Sequence, residues 1–113
     1  MKIDITKLRP QHDCLVEERV DYHRENAIEE PIEVVVYGGE TYLMDGHSRV
    51  FVALENGVSE LEAVRQEDLT GFYFEKGSFD RVRERGIDKV QQLTRFVTEE
   101  EFRKMVWDNS EEN

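Results

Sequence analysis

Residues 32 to 57 constrain the fold more than any other stretch. Ile32 to Tyr37 is β-branched and aromatic, Gly38-Gly39 interrupts it, and Thr41-Tyr42-Leu43-Met44 resumes in the same style. Two glycines between such runs can supply the positive φ that a type I′ turn needs at both central positions, so the pattern predicts a β-hairpin. Asp45-Gly46-His47 then leaves the second strand. Ser48 to Asn56 reads as a helix packing Phe51, Leu54 and one of Val50 or Ala53, stopped by Gly57. Leu61 to Arg65 follows a short connection as a further strand.

The flanks are less regular. Ile3-Asp4-Ile5 alternates as a short strand, and Leu8-Arg9-Pro10 breaks it, because proline removes a ladder donor. A loop is expected over residues 9 to 13, then a largely polar amphipathic helix of about 16 to 26 with Asp13 as its N-cap. Ser78 is a candidate cap for a short helix that Gly86 ends, while residues 87 to 97 show no clear period. Thr98 and Glu101 have capping-box spacing for a helix running to about Trp107. The expectation is one α+β domain over residues 1 to 107, a small mixed sheet with flanking helices, and a disordered acidic tail at 108 to 113.

Charge narrows the function. The 113 residues hold 26 acids and 15 Lys plus Arg, a formal net charge of -11. Residues 1 to 97 alone carry 20 acids against 13 bases, so the acidity is not confined to the end. Duplex DNA is a poor partner for such a surface, since binding it depends on cations that displace counterions. No apolar run approaches the length of a membrane span, and the Met1-Lys2-Ile3-Asp4 start lacks the regions of a signal peptide. A cytoplasmic protein is expected, in keeping with the lone Cys14, which can form no internal disulfide. His12, Asp13, Cys14 and His23 match no standard zinc spacing, so no metal site is assigned.

Asp45-Gly46-His47-Ser48-Arg49 is the segment best suited to chemistry, because it lies where a strand passes into a helix. Unpaired N–H groups and the helix dipole favour an anion there, and a glycine lets a ligand approach the backbone. Arg49 offers a planar fork for phosphate oxygens, His47 a hydrogen-bond donor or proton shuttle, and Asp45 a ligand for Mg²⁺ or a sugar hydroxyl. The plainer alternative makes Asp45 and Gly46 a tight turn, Ser48 the helix cap and Arg49 a solvated side chain.

The order of these segments is similar to the ParB/sulfiredoxin-like superfamily: a Leu-Arg-Pro loop, an acidic helix, Pro31-Ile32 leading into a strand, Tyr42 to Arg49, then Ala53-Leu54 and Asn56-Gly57. The resemblance covers about residues 3 to 65 and implies that the glycine-centred box binds nucleotide phosphates. Sulfiredoxins have a catalytic cysteine in a Gly-Cys-His-Arg box, whereas His47 follows Gly46 here, so sulfinic acid reduction is not expected. The partition proteins have a Gly-Glu-Arg-Arg-x-Arg type of box, of which this chain keeps Arg49, with Ser48 and Phe51 at the other arginine positions. The box most resembles Asp-Gly-His-His-Arg of the archaeal-type free amino acid kinases, matched at Asp45, Gly46, His47 and Arg49. Their Pro-His-Glu catalytic segment is similar to Pro10-Gln11-His12-Asp13.

That resemblance implies a nucleotide-dependent phosphotransferase using ATP or ADP with Mg²⁺ and a small-molecule acceptor. Asp13 would be its base, His47 a second catalytic group, and Asp45 to Arg49 the nucleotide site. The alternative is a noncatalytic nucleotide-binding or protein-interaction regulator related to chromosome partitioning proteins. Arg81, Arg83, Arg85, Lys89 and Arg95 read as a solvated face pairing with acids. Phe102, Met105 and Trp107 read as core or homodimer contact, and Phe72, Tyr73 and Phe74 as a buried strand.

Overall fold

Gly38 and Gly39 take φ of 59° and 81°, the left-handed values that the hairpin turn requires. They join β4 (Ile32–Tyr37) to β5 (Glu40–Asp45), which pair antiparallel from Tyr37 opposite Glu40 to Val34 opposite Leu43. Glu33 then faces Asp45, leaving Met44 as an extra residue on β5. Such a bulge bends its strand and re-aims the residues beyond it.

In this computed structural model, residues 1–67 and 82–104 are described. Ahead of the hairpin lie β1 (Lys2–Asp4), a 3₁₀ turn over Ile5–Lys7, β2 (Arg9–Pro10), β3 (Leu15–Val16) and α1 (Glu17–Glu25). After it come α2 (His47–Glu55), β6 (Glu60–Arg65), a 3₁₀ turn over Val90–Gln92, β7 (Phe96–Val97) and a helix over 99–104. Five strands form one mixed sheet in the order β1-β6-β4-β5-β2. β6 runs parallel to central β4, which places α2 as the connection across one face of the sheet.

The core follows from strand alternation. Ile32, Val34, Leu43 and Ala63 turn toward α2 and join Val50, Val52 and Ala53 in one buried cluster with Ile5, Leu8, Leu15 and Val20. Val35, Tyr42 and Met44 form a second cluster on the alternate positions. The expected choice between Val50 and Ala53 is resolved by burial of both, and the helix seam centres on Val52, with Phe51 and Leu54 half-buried.

Several expectations are corrected. Residues 9 and 10 are not loop: Arg9 and Pro10 pair parallel with Tyr42 and Leu43 as an edge strand, where a proline is tolerated. Asp13 is not the cap of α1, whose N-cap is Val16. Residues 15–16 and 96–97 form a separate two-stranded parallel ladder. The capping box is present as read: Thr98 N–H donates to Glu101 Oε1 (3.0 Å), and Glu101 N–H donates to Thr98 Oγ1 (3.1 Å). The aromatic run 72–74, Met105, Trp107 and the acidic tail lie outside the described residues. Among the described residues no helix is long and apolar enough to cross a membrane.

The packing yields a contrast testable by urea denaturation. Leu43 is fully buried, so Leu43→Ala should lower stability by about 2–5 kcal/mol through lost transfer energy and a residual cavity. Val36, on the same hairpin but 42% exposed, should tolerate Val36→Thr within about 0.5 kcal/mol.

Candidate functional site

Gly46 sits at the N-cap of α2 with φ 110° and ψ 25°, and a Cβ built there would lie 2.7 Å from Ile32 Cγ2. The glycine is therefore demanded by the core beneath it, whereas the sequence had suggested room for a ligand or a tight turn. No side chain caps this helix start, so the expected Ser48 cap is absent; Ser48 lies inside the helix and is buried.

His47 and Arg49 flank this junction and are each fixed by several bonds. The backbone N–H groups of Gln11 and His12 donate to His47 Nε2 at 2.9 and 3.3 Å. Nε2 thus acts as acceptor, and the neutral ring carries its proton on Nδ1. Burial pushes the His47 pKa well below the usual histidine value, helped by His12 and Arg19 nearby. At neutral pH this ring is a held Nδ1–H donor, and its second nitrogen is already committed. Arg49 Nη1 donates to the carbonyls of Glu30 (3.2 Å) and Pro31 (2.9 Å), while Nη2 pairs with Asp45 Oδ2 at 2.9 Å. Arg49 is no solvated surface side chain: it ties α2 to the segment leading into β4.

A cavity of about 330 Å³ opens beside this junction. Asp45 to Arg49 form one wall, and His12, Cys14, Arg19, His23 and Phe102 line the rest together with Val16 and Met44. The His12 ring lies 4.9 Å from that of His47 and 5.1 Å, edge-on, from Phe102, and the Arg19 guanidinium sits over Phe102 at 5.2 Å. His23 Nδ1 is buried without a hydrogen bond, and its pKa is lowered by burial and by Arg49. Cys14 is buried, and burial pushes its thiol pKa up, so it is a poor nucleophile. Among the described residues no group of three His, Cys, Asp or Glu could hold a metal ion.

The structure brings Asp45, Gly46, His47, Ser48 and Arg49 together on this cavity, but Asp13 is elsewhere. Its carboxylate pairs with Arg85 and lies 3.7 Å from Arg95, while neighbouring His12 and Cys14 line the cavity. The basic cluster of the last third is accordingly divided: Arg85 and Arg95 serve Asp13, and Arg83 donates to Tyr42 Oη. Sequence reading missed Arg19, His12 and Phe102 as parts of this wall. Arg19 lies on a mostly polar helix and Phe102 some eighty residues further on, so no local spacing joins them.

No family model matches the sequence, and no curated protein matches it. Among solved structures, one described as "Free serine kinase in complex with AMP" aligns with a TM-score of 0.57 and 19% identity over 63% of this chain and 32% of that one. The chain has a ParB/sulfiredoxin-like fold. Protein Atu1540 from Agrobacterium tumefaciens aligns with a TM-score of 0.49 and 22% identity over 76% of this chain and 47% of its own. Sulfiredoxin from Arabidopsis thaliana aligns at 0.41 and 20% over 60% and 86% respectively. The chain thus spans about half the length of protein Atu1540 and a third of the kinase. In this fold the glycine-centred box is where the sequence placed it, between β5 and α2.

Two measurements probe the junction. Gly46→Ala should cost about 2–4 kcal/mol in urea denaturation, combining a left-handed residue with overpacking against Ile32. His47 has a folded-state pKa below its unfolded value, so the unfolded chain takes up a proton first as pH falls below about 6.5, and stability is lost there. His47→Gln keeps an acceptor for the Gln11 and His12 N–H groups but does not titrate. Its stability should fall less than the wild type's between about pH 6.5 and 5, measured as denaturation midpoints across that range.

Proposed function

We propose that the cavity beside α2 binds the phosphate groups of a nucleotide, with ADP and ATP as first candidates. One observation carries this reading: in a chain of net charge -11, Arg19, Arg49, His12 and His23 converge with an uncapped helix start on one cavity. Electrostatics and donor supply both favour an anion at that spot. The buried, unbonded His23 Nδ1 supports a polar occupant, since such an atom ordinarily has a partner. The fold shared with a structure whose description includes AMP agrees with a nucleotide.

Phosphoryl transfer to a small hydroxyl compound is the second reading, favoured by that neighbour's description as a kinase. In that reading the carboxylate at hand is Asp45, the one acid among the described residues that line the cavity, and Asp13 is tied to two arginines outside it. With one carboxylate available, Mg²⁺ would be held by Asp45 together with the nucleotide's own phosphates, as is usual for that ion. Mg²⁺ would supply charge neutralisation on the phosphates. Arg19 would orient the phosphate oxygens, and Asp45 would choose between the metal and the acceptor's hydroxyl proton.

Isothermal titration with ADP and ATP, with and without Mg²⁺, tests the first reading. Arg19→Ala should weaken binding by about 1.5–3 kcal/mol, the worth of a charged hydrogen bond. Arg24→Ala, on the same helix but bonded to Glu55, should bind as wild type. Absence of nucleotide binding by the wild type, or equal effects of the two substitutions, would reject the assignment. Consumption of nucleotide only in the presence of a hydroxyl acceptor, lost in Asp45→Asn, would establish the transfer reaction.

A further inference from the structure

Arg19 does two jobs at once. It lines the cavity, and it also holds a carboxylate of the chain's own far end: Nε donates to Glu99 Oε2 at 2.9 Å and Nη2 to Glu99 Oε1 at 2.5 Å. This two-pronged geometry is the one guanidinium groups use for phosphate. The same residue is thus already engaged in the manner an incoming phosphate would require.

We propose that Glu99 is a built-in competitor for the anion ligand of this cavity, and that ligand binding at Arg19 releases the helix over 99–104. The proposal rests on the phosphate reading of the cavity and adds its regulation. Among the described residues, Glu99 and its helix meet α1 at Glu18 and Arg19. Glu99 N–H donates to the Glu18 carboxylate at 3.0 and 3.1 Å, Arg19 grips the Glu99 side chain, and the Arg19 guanidinium covers Phe102. Phe102 in turn closes against His12, so the helix supplies a wall of the cavity as well as the competing carboxylate.

Removing Arg19 from Glu99 leaves the helix start poorly compensated. Glu18, Glu99, Glu100 and Glu101 gather there, and among the described residues the next cation on Glu99 is Arg103, at 3.5 Å. Like charges at close range then work against docking. A phosphate carries more charge than a carboxylate and would also meet the α2 start, so it has the advantage at Arg19 once inside. The released helix takes Phe102 with it, and the cavity widens from the side that faces α1. Binding and helix docking are coupled negatively, and by linkage whatever holds the helix down weakens the ligand.

Two measurements on the full chain decide the matter, using ADP and inorganic pyrophosphate as probes. In titrations at low salt, Glu99→Gln should bind both probes about tenfold more tightly than wild type, because the competing charge is gone. In the Arg19→Ala background, adding Glu99→Gln should change binding little, since the group competed for is absent. Amide hydrogen exchange of the wild type should show residues 99–104 exchanging faster when pyrophosphate is present. Equal or weaker binding by Glu99→Gln, or exchange at 99–104 that is unchanged or slower with ligand, would overturn the gate and leave the phosphate site standing. Failure of both wild type and Glu99→Gln to bind either probe would overturn the site and the gate together.

Discussion

The absence of a side chain at Gly46 is the constraint on which the rest of the molecule depends. There is no space for a Cβ above Ile32, so β5 can pass into α2 at this distance from the sheet only through glycine. That close approach lets Arg49 reach back to the carbonyls of residues 30 and 31, and lets His47 present Nε2 to the N–H groups of Gln11 and His12. Two otherwise separate segments are thereby joined to the first turn of one helix. Covering apolar surface and arranging the cavity wall are therefore one event in this fold.

The electrostatics of the cavity run against those of the chain. Acids dominate the surface, and those that meet cations do so mainly in exposed pairs worth little individually, such as Arg24 with Glu55. Around the cavity the balance is reversed, with two arginines, three histidine rings and a helix start against the single carboxylate of Asp45 among the described lining residues. An acidic exterior repels polyanions in general, whereas this recess gathers Arg19, Arg49 and a helix start.

The hairpin, α2, β6 and the Thr98 box were legible in the sequence because each is set by neighbours within four residues: turn glycines, β-branched runs, capping partners. The Asp45 to Arg49 box was legible for the same reason. Its internal roles were not, because they depend on contacts from afar. The partners of Arg49 are backbone carbonyls eighteen and nineteen residues earlier, and those of His47 are amides about thirty-five residues earlier. Asp13 misled the reading: a lone acid before a polar helix looks like a cap, yet cations from residues 85 and 95 claim it. β3 and β7 were missed since two-residue strands carry no period, and β2 because its proline is forbidden only inside a sheet.

The small β3–β7 ladder has a consequence for how the molecule assembles. It joins residues 15 and 16 to 96 and 97, and the Arg19 to Glu99 and His12 to Phe102 contacts lie beside it. All close loops of roughly eighty residues or more, whereas the hairpin closes across two glycines. Loop-closure entropy places such distant contacts late, after the local elements they unite have formed. The hairpin and α2 can therefore be structured while the cavity still lacks one side, and the cavity is completed only when residues 96–102 return to the first part of the chain. The state of the cavity thus reports the final step of folding, and a chain caught before that step would be nearly native in its sheet yet lack the cavity's last wall.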